Sequence, residues 1–465
     1  MLNSLGTPRD RWDVCASDIA RRTHNPIRAI VENIVVEPNP NKKLIALSIG
    51  DPTTFGNLKP PREVIEALQQ SVASFEFNGY APSTGHQIAR EAVAEYCSTE
   101  NLKVEAKDVI LCSGCSCALD LCITVLAKEG QNILIPRPGF SLYRTLAVGL
   151  GVGVRAYNLL PDLGWEIDLD HLASLVDERT AAIIVNNPSN PCGSVYSRHH
   201  LLDIIDVAAK YHVPIIADEI YEHMFLIEVN FLVFRKFLSC SKKLNISIEV
   251  FPGRTFYPMA SLSTEVPILS CSGLAKRFLV PGWRMGWVII HDRQNIFNNE
   301  LLHVFKIFQI RNGLQSLSQR IIGSSTIIQG ALPGILKNTP QRFFDDVTKL
   351  LYNHSITTFN LIKEIPGLKP IMPDGAMYMM VHIDLESFPE FNTEVDFVER
   401  LLMEESVFCL PGGCFDLPSY IRLVITVPVE MQEEACKRIH DFCYRHHCKT
   451  QNLIRNSIEG VEIPY

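Results

Sequence analysis

Short apolar runs, each closed by a turn and followed by a helical pattern, recur through the middle of the chain. VILCSG leads into CSCALDLCITVLA, NILIPRP leads into SLYRTLAVGLG, and AAIIVNNPSNP leads into a helix-like stretch that ends before VPIIADEIY. VPILSCSG and GWVIIHD are two more runs of strand length. Strands without a polar face, alternating with helices, predict an α/β fold whose central sheet is mostly parallel and covered on both sides. Ligands bind such sheets at the carboxyl ends of the strands. Ahead of this region lie a polar helix-like stretch, SDIARRTHNPIRAIVENI, and an extended segment ending in LSIGDPT. From about Asn338 a long helical stretch leads into the strand-like GAMYMMV and SYIRLVITVP. The pattern predicts a large domain over residues 61–338 and a smaller α+β domain formed by 339–465 with the N-terminal arm 1–60.

Composition narrows the function classes. The 465 residues are 47% hydrophobic and 20% charged, enough for a sizeable core. Lys and Arg number 43 against 51 Asp and Glu, a formal charge of −8, which argues against nucleic acid as the main partner. No uncharged apolar run approaches the ~18 residues of a membrane span. MLNSLGTPRDRWDVC lacks the apolar core of a secretory signal. A soluble, cytoplasmic protein is expected, with its 14 cysteines reduced. Cys112, Cys115 and Cys117 form one cluster, and Cys443, His446, His447 and Cys448 a second. Structural zinc sites pair two half-sites, and neither cluster has a matching half, so no metal is expected.

Polar residues at four strand ends carry the candidate chemistry. AAIIV runs into the amides and prolines of NNPSNPCG; VPII opens onto Asp218 in ADEIY; VPILS runs into CSGLAKRF with Lys276; VILCSG leaves backbone N–H groups at a helix start. Taken singly these are ordinary features: acidic residues cap helices, lysines sit in solvent, and Gly/Ser turns are mostly turns. Together, an anion cup, a strand-end carboxylate and a strand-end lysine suggest a phosphorylated aldehyde cofactor held by the lysine amine.

The strings that carry these residues resemble a known family, the fold-type I pyridoxal-phosphate aminotransferases of class I/II, over about Arg11 to Cys448. RWDVCASDIARRTHNPIRAIVENI, LSIGDPTTFGNL, NGYAP, PRPGFSLYRTLA, YNLLPDLGWEIDL, VNNPSNPCGSVYS, ADEIY, GLAKRFLVPGWRMGW and IRLVITVP all look like segments of its tyrosine-transaminating branch. The resemblance implies pyridoxal 5'-phosphate as cofactor and transfer of an amino group from L-tyrosine to 2-oxoglutarate. It implies that Lys276 carries the cofactor covalently and moves the substrate proton, that Asp218 faces the pyridine nitrogen, and that Tyr221 and Asn190 face the ring's phenolic oxygen. Arg284 with Gly114, Cys115 and Ser116 would grip the phosphate, and Phe140 would stack on the ring. Arg422 would bind the substrate carboxylate, with Asn190 and the backbone at Gly50 close to the substrate. Tyr80 would reach the phosphate of a neighbouring subunit, which implies a homodimer with shared active sites. Two other readings remain open: another fold-type I reaction, such as a different side-chain preference or β-elimination from cysteine conjugates, and a non-catalytic relative.

Two features depart from the pattern. Several members of the class carry Ser three residues before the lysine, where this chain has Gly273. The resemblance implies Gly there in the tyrosine-transaminating branch too, so this favours that branch. The second departure is length: 276 − 218 = 58 residues separate Asp218 from Lys276, more than the resemblance implies. The surplus maps to 225–249, FLIEVNFLVFRKFLSCSKKLNISIE, and a shorter one to 301–309, LLHVFKIFQ. Neither has loop chemistry or a clean amphipathic period, which suggests translated non-coding sequence or a lineage-specific surface element.

Overall fold

The computed structural model describes residues 12, 14–224, 255–298 and 309–448. The surplus segment 225–249 and all of 301–309 except Gln309 lie outside the described residues. Gln309 caps the helix Ile310–Ser318. His223 and Phe256, on either side of the first gap, stand with ring centroids 5.2 Å apart.

In chain order the strands are β1 (Ile45–Ala46), β2 (Val109–Cys112), β3 (Asn132–Arg137), β4 (Gly153–Leu160), β5 (Glu166–Ile167), β6 (Thr180–Asn186), β7 (Ile215–Asp218), β8 (Ile268–Gly273), β9 (Gly286–His291), β10 (Leu368–Pro370), β11 (Tyr378–Ile383), β12 (Val407–Phe408), β13 (Leu410–Pro411) and β14 (Tyr420–Val424). Eight of them form one sheet in the order β2-β9-β8-β7-β6-β3-β4-β5. The run β8-β7-β6-β3-β4 is parallel, as the unbroken apolar strands predict. β9, the GWVIIHD strand, is antiparallel to β8 and β2, and β5 is antiparallel to β4. Helices cover both faces, and every residue of β7 and β8 is buried. A second, antiparallel sheet has the order β10-β11-β14-β13.

Local chemistry sets the helix ends. Ser197 accepts from the His200 N–H to start the helix Arg198–Tyr211, and His212 closes it in the left-handed conformation. Thr393 and Asp396 form a reciprocal capping box ahead of Glu394–Glu405. The N-terminal stretch expected as one helix is two, Asp18–Arg22 and Pro26–Asn33. Pro26 lacks an N–H and disfavours helical backbone at Asn25, so the chain restarts with Asn25 as the new cap. The SYIRLVITVP strand also ends early, at Val424, whose N–H donates to Leu47 O in the N-terminal arm.

Strand register positions the polar ends. Asn186 on β6 pairs with Asp218 on β7, which pairs with Cys271 on β8, so these residues form one row at the carboxyl edge. Gly193, just beyond β6, accepts from the N–H groups of Asp374 and Gly375, and Met224 O accepts from Ala376 N–H. These bonds seat the entry to β11, and with it the second sheet, against the carboxyl edge of the first.

Candidate active site

Asp218 ends β7 at 2% exposure, and burial pushes its carboxyl above the ordinary range. Three donors act against that rise. Tyr143 Oη donates to Oδ2 at 2.6 Å, Ile220 N–H to Oδ1 at 3.3 Å, and Cys115 Sγ to Oδ1 at 3.6 Å. The carboxylate is thus fixed at the strand end, and the Lys276 charge favours its ionised form.

Lys276 follows β8 in a turn. Its Nζ donates to Gly50 O at 2.5 Å and lies 5.7 Å from the Tyr221 ring centroid. Tyr221 is buried in the turn after β7, with its hydroxyl 2.6 Å from that of Tyr378 on β11. A side chain at Gly50 would crowd this pair, because a Cβ there would sit 2.6 Å from Tyr378 Oη.

Arg422 lies mid-strand in β14, only 3% exposed, opposite Met380 of β11 and Leu410 of β13. Its Nη1 donates to Asn190 Oδ1 at 2.9 Å and its Nη2 to Ser48 O at 2.8 Å, while the buried Nε has no partner. A buried guanidinium without a carboxylate partner is costly, and the orphaned donor fits an incoming anion.

The anion cup lies between β2 and the helix Cys115–Leu126. Gly114 caps that helix at φ +82°, in the left-handed region open to glycine, and a Cβ there would meet Arg284 Nη2 at 2.5 Å. The N–H groups of Cys115 and Ser116, in the first helical turn, have no acceptor within the helix and point to its N-terminal end. Arg284 closes the cup from the β8–β9 connection, donating to Ser113 O at 3.2 Å and to Pro281 O at 3.1 Å. Gly286 packs against the same backbone, since a Cβ there would lie 2.6 Å from Cys115 N. Gly273, where several members of the class carry Ser, also has a steric reason. A Cβ on Gly273 would meet Met285 O at 2.5 Å and Gly286 Cα at 2.8 Å.

This cup, with its cationic fork, suits a phosphate, and the lysine and carboxylate beside it suit a pyridoxal ring; the residues fit the expected cofactor. Phe140 stands half-buried near this site, edge-on to Tyr143 at 5.8 Å. Lys276, Asp218, Tyr221, Asn190 and the cup therefore share the carboxyl edge of the first sheet, and Arg422 joins it from the second. Tyr80 stands apart at 91% exposure.

Sequence reasoning missed Tyr143, Tyr378 and the Cys115 thiol. Tyr143 reads as one apolar position of SLYRTLA, and Tyr378 as one of GAMYMMV. A buried tyrosine needs a hydroxyl partner, which was the signal in principle. Among the described residues no group of His, Cys, Asp and Glu is arranged to hold a metal, and their cysteines are all free.

Comparison with known proteins agrees with the geometry. The profile of the family "Aminotransferase class I and II" matches residues 42–439. Tyrosine aminotransferase of Mus musculus is 54% identical over 439 residues, covering 94% of this chain and 89% of the relative. The Dictyostelium discoideum tyrosine aminotransferase is 46% identical over 94% of this chain and 97% of its own length. The crystal structure of tyrosine aminotransferase from Leishmania infantum superposes with a TM-score of 0.82 at 33% identity, covering 94% of this chain and 100% of that one.

Proposed function

This chain belongs to the class I and II aminotransferases, which work with pyridoxal phosphate, and on that footing we propose that it transfers the amino group of L-tyrosine to 2-oxoglutarate. The products are 4-hydroxyphenylpyruvate and L-glutamate, a step in tyrosine and phenylalanine catabolism. The observation that carries the reading is Arg422, a buried guanidinium with an unpartnered Nε, linked through Asn190 to the site of Asp218 and Lys276. Amino acids and 2-oxo acids share the carboxylate that such a group binds.

The roles follow from position. Gly114, Cys115, Ser116 and Arg284 would hold the phosphate, the backbone donating N–H groups and the arginine its fork. Asp218 would face the ring nitrogen and keep a proton there, with Tyr143 holding the carboxylate in place. Tyr221 and Asn190 would face the phenolic oxygen, and Phe140 would pack on the ring face. When bound, pyridoxal phosphate supplies the conjugated ring that takes up the electron pair left on the substrate α-carbon. Lys276 would hold the cofactor, yield it to the incoming amine, then take the α-proton as base and, as acid, deliver it to the cofactor's former aldehyde carbon rather than back to the α-carbon. Arg422 would orient the carboxylate, with Asn190 at its side and Gly50 backbone nearby, so that the α-hydrogen faces Lys276 Nζ.

Three further assignments belong to the same proposal. A homodimer in which Tyr80 reaches the partner's phosphate is supported by the exposure of that side chain. A cytoplasmic location is part of the proposal; separately, among the described residues no helix is long and apolar enough to cross a membrane. The domain division at 338/339 is likewise our assignment, supported by the separation of the two sheets along the chain. Comparing kcat/KM for tyrosine, aspartate and alanine with 2-oxoglutarate tests the donor. Tyrosine is expected to lead, and a lead for either other donor overturns the substrate assignment.

A further inference from the structure

We propose that Tyr96 is a positioning residue for this reaction, tying the turn that carries Lys276 to the turn that carries Tyr221. The inference rests on the roles proposed above for those two residues and adds one that acts only through their chain neighbours.

Arg277 directly follows Lys276, and Glu222 directly follows Tyr221. Tyr96, at the end of the helix Gln87–Cys97, stands between them. Its hydroxyl accepts from Arg277 Nη1 and donates to Glu222 Oε1 at 3.0 Å. One hydroxyl thereby spans two turns that lie outside the strand ladder. The Lys276 side chain is also held by its bond to Gly50 O at 2.5 Å. Its turn is held by Leu274 N–H to Met285 O at 3.1 Å, Phe278 N–H to Leu274 O at 3.3 Å and Leu279 N–H to Lys276 O at 3.2 Å.

The neighbouring groups make the bridge rigid. The Arg277 guanidinium lies 4.2 Å from the Phe344 ring centroid on the helix Gln341–Ile362 and 5.5 Å from that of Tyr96. Tyr96 packs in turn on Phe278 at 6.0 Å and on Trp287 at 6.3 Å. Glu222 is buried, which raises its carboxyl, while the Arg277 charge and the Tyr96 hydroxyl favour the ionised form. Tyr96 and Arg277 are half-buried, and Arg277 Nε has no partner. The Tyr96 hydroxyl is therefore what joins the two charged groups, and its loss leaves the buried Glu222 carboxyl less satisfied. Small displacements of a group that must reach a substrate proton cost rate steeply.

The test is Tyr96→Phe, which removes one hydroxyl and keeps the packed ring. With tyrosine and 2-oxoglutarate, kcat is expected to fall about tenfold while both KM values stay within about twofold, because Arg422 is untouched. Hydrogen exchange of the 274–279 amides is expected to rise about tenfold, with the β7 amides unchanged, in the holoenzyme and in the cofactor-free protein. Glu222→Gln keeps an oxygen acceptor for Tyr96 and is expected to retain at least about half of kcat, as a hydrogen-bond relay requires. A Tyr96→Phe protein with unchanged kcat and exchange overturns the proposal, and so does an equal loss in Glu222→Gln. Lys276→Ala separates the two levels of the argument. If that variant turns over, the role of Lys276 fails; if it is inactive while Tyr96→Phe behaves as wild type, only the role of Tyr96 falls.

Discussion

Arg422 and Asn190, 232 positions apart in the chain, meet at 2.9 Å across the seam between the two sheets. One lies in a central strand of the antiparallel sheet, and the other lies just past β6 of the parallel one. Their bond brings the proposed carboxylate grip to the proposed cofactor site.

Replacing Arg422 with Ala removes that grip. A hydrogen bond to a charged group contributes ~1.5–3 kcal/mol, so KM for both tyrosine and 2-oxoglutarate is expected to rise roughly ten- to a hundred-fold. Steady-state kinetics on each substrate check it. An unchanged KM for either one places the carboxylate site elsewhere.

Tyr143→Phe acts on Asp218. The Tyr143 hydroxyl favours the ionised carboxylate, so its loss leaves burial less opposed and moves the carboxyl further up. Asp218 must be ionised to keep a proton on the ring nitrogen. The acid limb of the kcat–pH profile is therefore expected to shift to higher pH, with kcat down by about tenfold on its acid side. An acid limb that stays in place contradicts the role given to Tyr143.

Glu219 sits buried behind the site, and burial is the main cause of its carboxyl rising to about 8. A carboxyl raised on folding stabilises the protein when protonated, and that contribution fades as pH rises from the ordinary range through about 8. Gln at this position still accepts from the Met259 N–H, a 2.8 Å bond in the wild type, and has no charge to bury. Glu219→Gln is expected to gain Tm relative to the wild type between pH 5 and pH 8, read by thermal unfolding at both. A Tm difference that is the same at both pH values contradicts the assignment.

The sequence was legible where the chemistry is local. Asp218 and Lys276 stand at the ends of apolar strands, and Arg422 interrupts another, so each shows as a polar residue that packing does not ask for. The parallel run of strands was legible for the same reason. The reversal of β9 was not, because an apolar strand looks alike in either direction. Nor was Tyr143 as the partner of Asp218, since 75 residues separate them and only the docking of the helix Leu142–Gly149 under the sheet brings them together. The reason for Gly273 also lay out of reach, because it depends on the backbone of Met285 and Gly286 in the adjoining strand.

The most direct test of the central claim is a single-turnover experiment, in which the holoenzyme is mixed with tyrosine and no 2-oxo acid. Transamination with Lys276 as the proton carrier is expected to yield one 4-hydroxyphenylpyruvate per active site, then stop, with no free ammonia and with release resuming when 2-oxoglutarate is added. Continuous release of ammonia in the absence of a 2-oxo acid, or no product at all, would contradict it.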